Sequence, residues 1–198
     1  TYMPHAILAR RNGAGIVPVG KLIGVPLNAV IYRSGENIAK VEDLRGKKVG
    51  YCVDGFDKSF LEALFAARDV APSEWVNVSF DLVNSLDIGH VDALFGAYWN
   101  IESEHLRSRG VETEYFPLSA FGVPDYDELI MVAAAGSKHA SREFVERFRR
   151  ALDESIKAAT EDPEGAFEKY ARANPDKSRT TLVWEKAAWL RTHPVLAA

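Results

Sequence analysis

The run Tyr98-Trp99-Asn100-Ile101-Glu102 places two large aromatics, a carboxamide and a carboxylate within five consecutive residues. Neighbouring residues of a strand point to opposite faces, so Tyr98 and Trp99 cannot both enter one core. At least one of them is left for a ligand or for solvent. A flat heteroaromatic ligand gains about 0.5–1.5 kcal/mol per ring from stacking beyond the area it buries. A carboxylate facing an amino group of that ligand adds a charge-assisted hydrogen bond of about 1.5–3 kcal/mol. The pattern suits the binding of a small aromatic amine better than that of a sugar phosphate. A plainer account stays open: Asn100 is a natural helix N-cap, and Glu102 in a first helical turn complements the helix dipole by about 0.3–1 kcal/mol with no ligand at all.

Gly55-Phe56-Asp57 forms a second candidate, at the end of the apolar stretch "KKVGYCV" and the start of a helical pattern. Gly55 lets backbone approach a ligand closely, the first helical N–H groups are free donors, and Asp57 is placed to cap them. Asp57 as N-cap and Phe56 as core would account for the same residues without a ligand. Catalytic signatures are missing. There is no HExxH, GxSxG or GxxxxGK[ST], and "GAGIVPVG" has the wrong glycine spacing and precedes a strand. The five histidines are scattered without paired ligand spacing, and Cys52 is the only cysteine, so a Cys-based zinc site and an intrachain disulfide are both excluded. Its apolar setting marks Cys52 as an inert core thiol. Binding without chemistry, with no metal and no cofactor, is the economical reading.

The 198 residues carry a net charge of −4, which argues against nucleic acid as a partner, since neutralising phosphates needs a basic face. Arg10-Arg11 and the Arg147 to Arg150 cluster solvate helix faces. No apolar run approaches the roughly 20 residues of a membrane span.

The elements that must position these residues alternate between strand and helix. A helix over "YMPHAILARR" stops at Asn12-Gly13, and strands are expected at "GIVPVGKLIG", "LNAVIYR", Lys48 to Val53, "WVNVSFDLV", "VDALFGAY", "VETEYF" and "LIMVAAA". Helices fall from about Asp57 to Arg68, over "NSLDIGH" and over "NIESEHLRSRG", and three more follow Ser141, with Ser141 as an N-cap and Pro163 at a helix start. This order predicts an α/β protein with a mainly parallel sheet. The strands "LNAVIYR" and "LIMVAAA" flank a self-contained stretch, which suggests a two-strand hinge around an inserted domain. The expected division is 1–33 plus 129–198 for the first lobe and 34–128 for the second, with a cleft between them.

Several stretches together resemble a known family. "PLNAVIYRSGENIAKVEDLRGKKVGY" is similar to the hinge-plus-"DLRGKKVG" pattern of ABC-transporter solute-binding proteins. "GFDKSFLEALF", "VNVSFDLVNSL", "VDALFGAYWNIE" and "FGVPDYDEL" follow in the order seen in the branch that binds pyrimidine precursors of thiamine, over roughly residues 1 to 175. The resemblance implies a two-lobed, type II periplasmic-binding-protein-like fold. It also implies capture of a pyrimidine-type thiamine precursor for an ABC permease, in a periplasmic or other extracytoplasmic location, with the membrane met only through the permease or an anchor outside this chain. By resemblance, Tyr2 and Asn28 contribute from the first lobe, Gly55, Phe56 and Asp57 from a polar loop of the second, and Tyr98, Trp99 and Glu102 from an aromatic wall. Glu102 would pair with the aminopyrimidine, and Tyr126 would stand near the crossing between lobes. The residue-level reading reaches the loop and the wall independently but gives no reason to choose Tyr2 or Asn28. Family members carry a further strand-helix-strand-helix segment ahead of the equivalent of Thr1, so the first lobe is expected to be incomplete here. Two rivals share the fold: a pyrimidine-synthase-type enzyme, which uses a cysteine-rich iron site that Cys52 alone does not supply, and the effector-sensing domain of a transcriptional regulator.

Overall fold

The computed structural model describes residues 1–53 and 56–197, together with all side chains in that range except those of Phe56 and Asp57. Gly55 therefore lies outside the described residues, as do the side chains of its two partners in the expected polar loop. Internal packing divides the chain into two units, Thr1–Pro26 with Asp125–Ala198 and the continuous segment Leu27–Pro124.

The continuous unit is built on β2 (Asn28–Arg33), β3 (Lys48–Tyr51), β4 (Glu74–Asn77), β5 (Ala93–Tyr98) and β6 (Thr113–Pro117), in the spatial order β4-β3-β5-β2-β6. Strand β3 is parallel to β4 and β5, while β2 is antiparallel to β5 and β6. Four strands thus run one way and β2 alone opposes them. The sheet is therefore mixed, with two parallel and two antiparallel pairings where a mainly parallel one was expected, and the exception is the strand assigned to the first lobe. Ala29, Val30 and Ile31 are all completely buried, and Tyr32 nearly so. A strand covered on both faces belongs in a sheet interior rather than in a connection. The expected hinge of "LNAVIYR" beside "LIMVAAA" is corrected accordingly: β2 sits in this sheet, and the chain passes between units next to Pro26 and Pro124.

Helices α2 (Phe56–Ala66), α3 (Leu82–Asp87) and α4 (Glu102–Ser108) flank the sheet. Leu86 and Leu106 from α3 and α4 close one face with Ala29, Ile31, Leu94 and Ala97. Burying each such leucine stabilises the unit by about 1.5–3 kcal/mol. Phe65 of α2 meets Trp75 edge-on and stacks on Phe121. The strand expected over "WVNVSFDLV" stops at Asn77, because the Asn77 side chain accepts the Ser79 N–H at 2.8 Å and Ser79 turns into the left-handed region at φ 50°.

The other unit pairs β1 (Ile16–Ile23) with β7 (Leu129–Ala134) in an antiparallel ribbon. Helix α1 (Met3–Arg11) precedes it, and α5 (Arg142–Glu161), α6 (Pro163–Ala173) and α7 (Arg179–Thr192) follow. Phe148 and Leu152 of α5 press onto Gly20, where a Cβ would come within 3.1 Å of both. Ser141 caps α5 by accepting the Phe144 N–H at 3.3 Å, and Pro163 opens α6, both as the sequence predicts. Among the described residues no helix is long and apolar enough to cross a membrane.

Candidate functional site

The connection from β3 leads through α2 to β4 on one side, whereas the next strand in sequence, β5, lies on the other side of β3. The strand order reverses there, and the crevice beyond the carboxyl ends of such a pair is where α/β sheets bind small molecules. Strands β3 and β5 pair only at Val49–Ala93 and Gly50–Leu94. Beyond these pairs β3 continues into Cys52, and β5 runs on through Gly96 to Tyr98 and into α4.

Glu102 is the residue around which this corner is built. Helix α4 has Ile101 as its N-cap, which offers no side-chain acceptor, so Asn100 is not the cap that its type suggests; it is completely buried instead. The Glu102 carboxylate folds back and accepts the Tyr98 N–H at 2.6 Å. Burial pushes its pKa above the ordinary carboxylate value, against the opposing pull of the Tyr98 and Glu102 backbone N–H groups. The result is a half-buried carboxyl group held by a backbone N–H at the strand ends.

The two aromatics part company as the strand period requires. Trp99 packs against the core cluster with Leu94 and Ala97, and stacks on Tyr115 at 5.9 Å between ring centroids. Tyr98 points to the other face and is half-buried. Asn28, the first residue of β2, pairs directly with Tyr98 of β5, and its side-chain oxygen accepts the Gly96 N–H at 3.1 Å. Its assignment to the first lobe is thereby corrected, for the whole of β2 lies in the second unit.

The remaining candidates lie in the unit of Thr1–Pro26 and Asp125–Ala198. Tyr2 is the N-cap residue of α1, with its ring 5.4 Å from that of His5. Tyr126 is half-buried, and its hydroxyl bonds to the buried Glu128; burial first, and the Glu128 charge second, push its pKa above the usual phenol value. The structure thus brings Asn28, Tyr98 and Glu102 together, and sets Trp99 beside them as a core residue.

Sequence reasoning passed over Gly96 and misplaced Cys52. A lone glycine inside an apolar strand pattern is the usual mark of a bulge, and that signal was present. Cys52, expected inside a buried strand, lies one residue past the end of β3, half-buried, with its sulfur against Gly96. No group of three or more His, Cys, Asp and Glu side chains among the described residues is arranged to hold a metal.

The fold is that of the periplasmic solute-binding proteins. The aliphatic sulphonate-binding protein of Escherichia coli superposes with a TM-score of 0.60 at 18% identity, over 97% of this chain and 64% of that one. An alkanesulfonate-binding protein of Xanthomonas axonopodis gives 0.59 at 17% identity, over 93% and 63%. The chain belongs to the NMT1/THI5-like family, whose model matches residues 1–166. It is 34% identical to a Haemophilus influenzae protein named for thiamine biosynthesis, over all of this chain and 62% of that one. It is 29% identical to the formylaminopyrimidine-binding protein of Halalkalibacterium halodurans, over 93% and 56%. The chain therefore spans less than two thirds of the length of these relatives. A Legionella pneumophila relative, 24% identical over 91% of this chain and 57% of that one, bears the name of a hydroxymethylpyrimidine phosphate synthase.

Proposed function

We propose that this protein is a solute-binding protein which takes up a pyrimidine-type thiamine precursor at the strand ends of its Leu27–Pro124 unit, for delivery to an ABC permease outside the cytoplasm. The observation that carries the reading is the Glu102 carboxyl, half-buried at the topological switch point and bonded to the Tyr98 backbone N–H. A carboxylate and an aromatic face are complementary to the amino group and the ring of an aminopyrimidine. Family membership and the name of the Halalkalibacterium relative support the same ligand class. Asn28 supports the same corner by holding the Gly96 N–H, and binding involves no chemical conversion.

A thermal-shift series with aminopyrimidines, thiamine and pyridoxal phosphate tests the reading. A ligand that binds only the native state raises its stability by about 2.7 kcal/mol at a hundredfold excess over Kd. The expected result is a shift with an aminopyrimidine that disappears in Glu102→Ala. No shift with any aminopyrimidine, in a protein that unfolds cooperatively, overturns the assignment. The synthase-named relatives favour one second reading, and turnover of pyridoxal phosphate with added iron would put it in place of the first.

A further inference from the structure

Strand β5 contains one residue more than its partner. Ala29 pairs with Ala97 and Val30 with Phe95, so Gly96 is left without an opposite number. An inserted residue shifts the alternation of every side chain beyond it by one face. Leu94 lies in the core cluster; without the insertion Gly96 and Tyr98 would follow it there, yet Ala97 and Trp99 do so. The bulge therefore decides which of the two adjacent aromatics enters the core and which is left for a ligand.

One residue holds the bulge and another confines it to glycine. The Gly96 N–H, displaced from the ladder, is accepted by the Asn28 side chain at 3.1 Å. Gly96 itself is at φ 93°, and a Cβ there would stand 2.5 Å from the Cys52 sulfur. Only glycine satisfies both conditions without strain. Two residues further on, the Tyr98 N–H holds Glu102. The side chains of Asn28 and Glu102 thus grip alternate N–H groups of the same short segment.

We infer that the Gly96 bulge sets the specificity of the site, and that Asn28 is its positioning residue, acting through Gly96 on Tyr98 and Glu102 rather than by touching the ligand, while the Cys52 sulfur keeps the position to glycine. The inference rests on the aminopyrimidine reading above and deepens it.

The test combines calorimetric titration with an aminopyrimidine, repeated across pH, and amide exchange measured by NMR in the ligand-free protein. Asn28→Ala removes the acceptor and should weaken binding at least tenfold, speed exchange of the Gly96 amide and move the pH at which affinity changes, because the Tyr98 N–H that holds Glu102 is no longer fixed in place. Asn28→Asp keeps a side-chain oxygen at the same place and should restore both binding and protection. Gly96→Ala should weaken binding as strongly, and adding Cys52→Ala should recover part of the loss, since the Cys52 Cβ lies at an ordinary 3.5 Å. If Gly96→Ala does not fold, the Asn28 pair carries the test alone. Equal loss in Asn28→Asp and Asn28→Ala overturns the inference in favour of direct ligand contact through the amide nitrogen. Unchanged binding in Asn28→Ala overturns it as well. A wild-type protein that binds no aminopyrimidine defeats the functional reading together with this one, and is recognised because the variants are then equally silent in calorimetry.

Discussion

Glu102 concentrates the physical chemistry of the second unit at a single residue. Its pKa is raised by burial, so the folded state holds the proton more tightly than the unfolded chain does. The stabilising contribution of this group is complete below the unfolded carboxylate value and is lost as pH rises through the higher folded value. Glu102→Gln keeps an acceptor for the Tyr98 N–H and removes the titration. Its melting temperature should exceed that of the wild type by an amount that grows as pH climbs above the unfolded carboxylate value of about 4.5 and levels off once the folded carboxyl is ionised. A constant difference across that range would show that Glu102 ionises in the native state as freely as in the unfolded one. Affinity for an aminopyrimidine should move in the opposite sense, strengthening as the carboxylate forms. The adjacent aromatics should separate in the same experiments: Trp99→Ala should cost about 2–3 kcal/mol of stability, below the range for a wholly buried tryptophan, while Tyr98→Ala should cost less than about 1 kcal/mol and lower affinity.

At the scale of elements, the central strands leave no spare room. A Cβ on Gly50 in β3 would lie 3.1 Å from Leu94, 3.2 Å from Val91 and 3.3 Å from Val78. Overpacking of that kind costs about 1–3 kcal/mol. Gly50→Val should therefore lower the denaturant midpoint with an unchanged m-value, and a midpoint equal to that of the wild type would mean that β3 and β5 are less closely packed than these distances state. Helix starts were legible where a local device sets them, as at Ser141 and Pro163, though not at α4, whose N-cap is Ile101 rather than Asn100. Strand ends were less so. The Asn77–Ser79 turn cuts β4 short within a run whose apolar residues read as continuous strand.

At the scale of the whole molecule, the second unit is one uninterrupted segment, Leu27–Pro124, carrying a five-stranded sheet and its own core. The first unit is assembled from two separated segments around the β1–β7 ribbon. A continuous segment with a complete core satisfies the requirements for independent folding. Residues 27–124 expressed alone should give a dispersed NMR spectrum and a cooperative thermal transition. A collapsed spectrum would show that this unit depends on the rest of the chain for its fold.

The order of strands and helices, the α/β class and the starts of α5 and α6 were readable in the sequence, because propensity, capping and side-chain alternation act over a few residues. The placement of β2 was not. Its apolar run fits a buried strand in either unit, and only pairing with β5 and β6, which lie some 65 and 85 residues further along, decides between them. The same holds within the site. Sequence alternation shows that Tyr98 and Trp99 must part; which one faces the core depends on the Gly96 bulge, and the bulge exists only once β2 supplies a register to depart from and Asn28 to hold it.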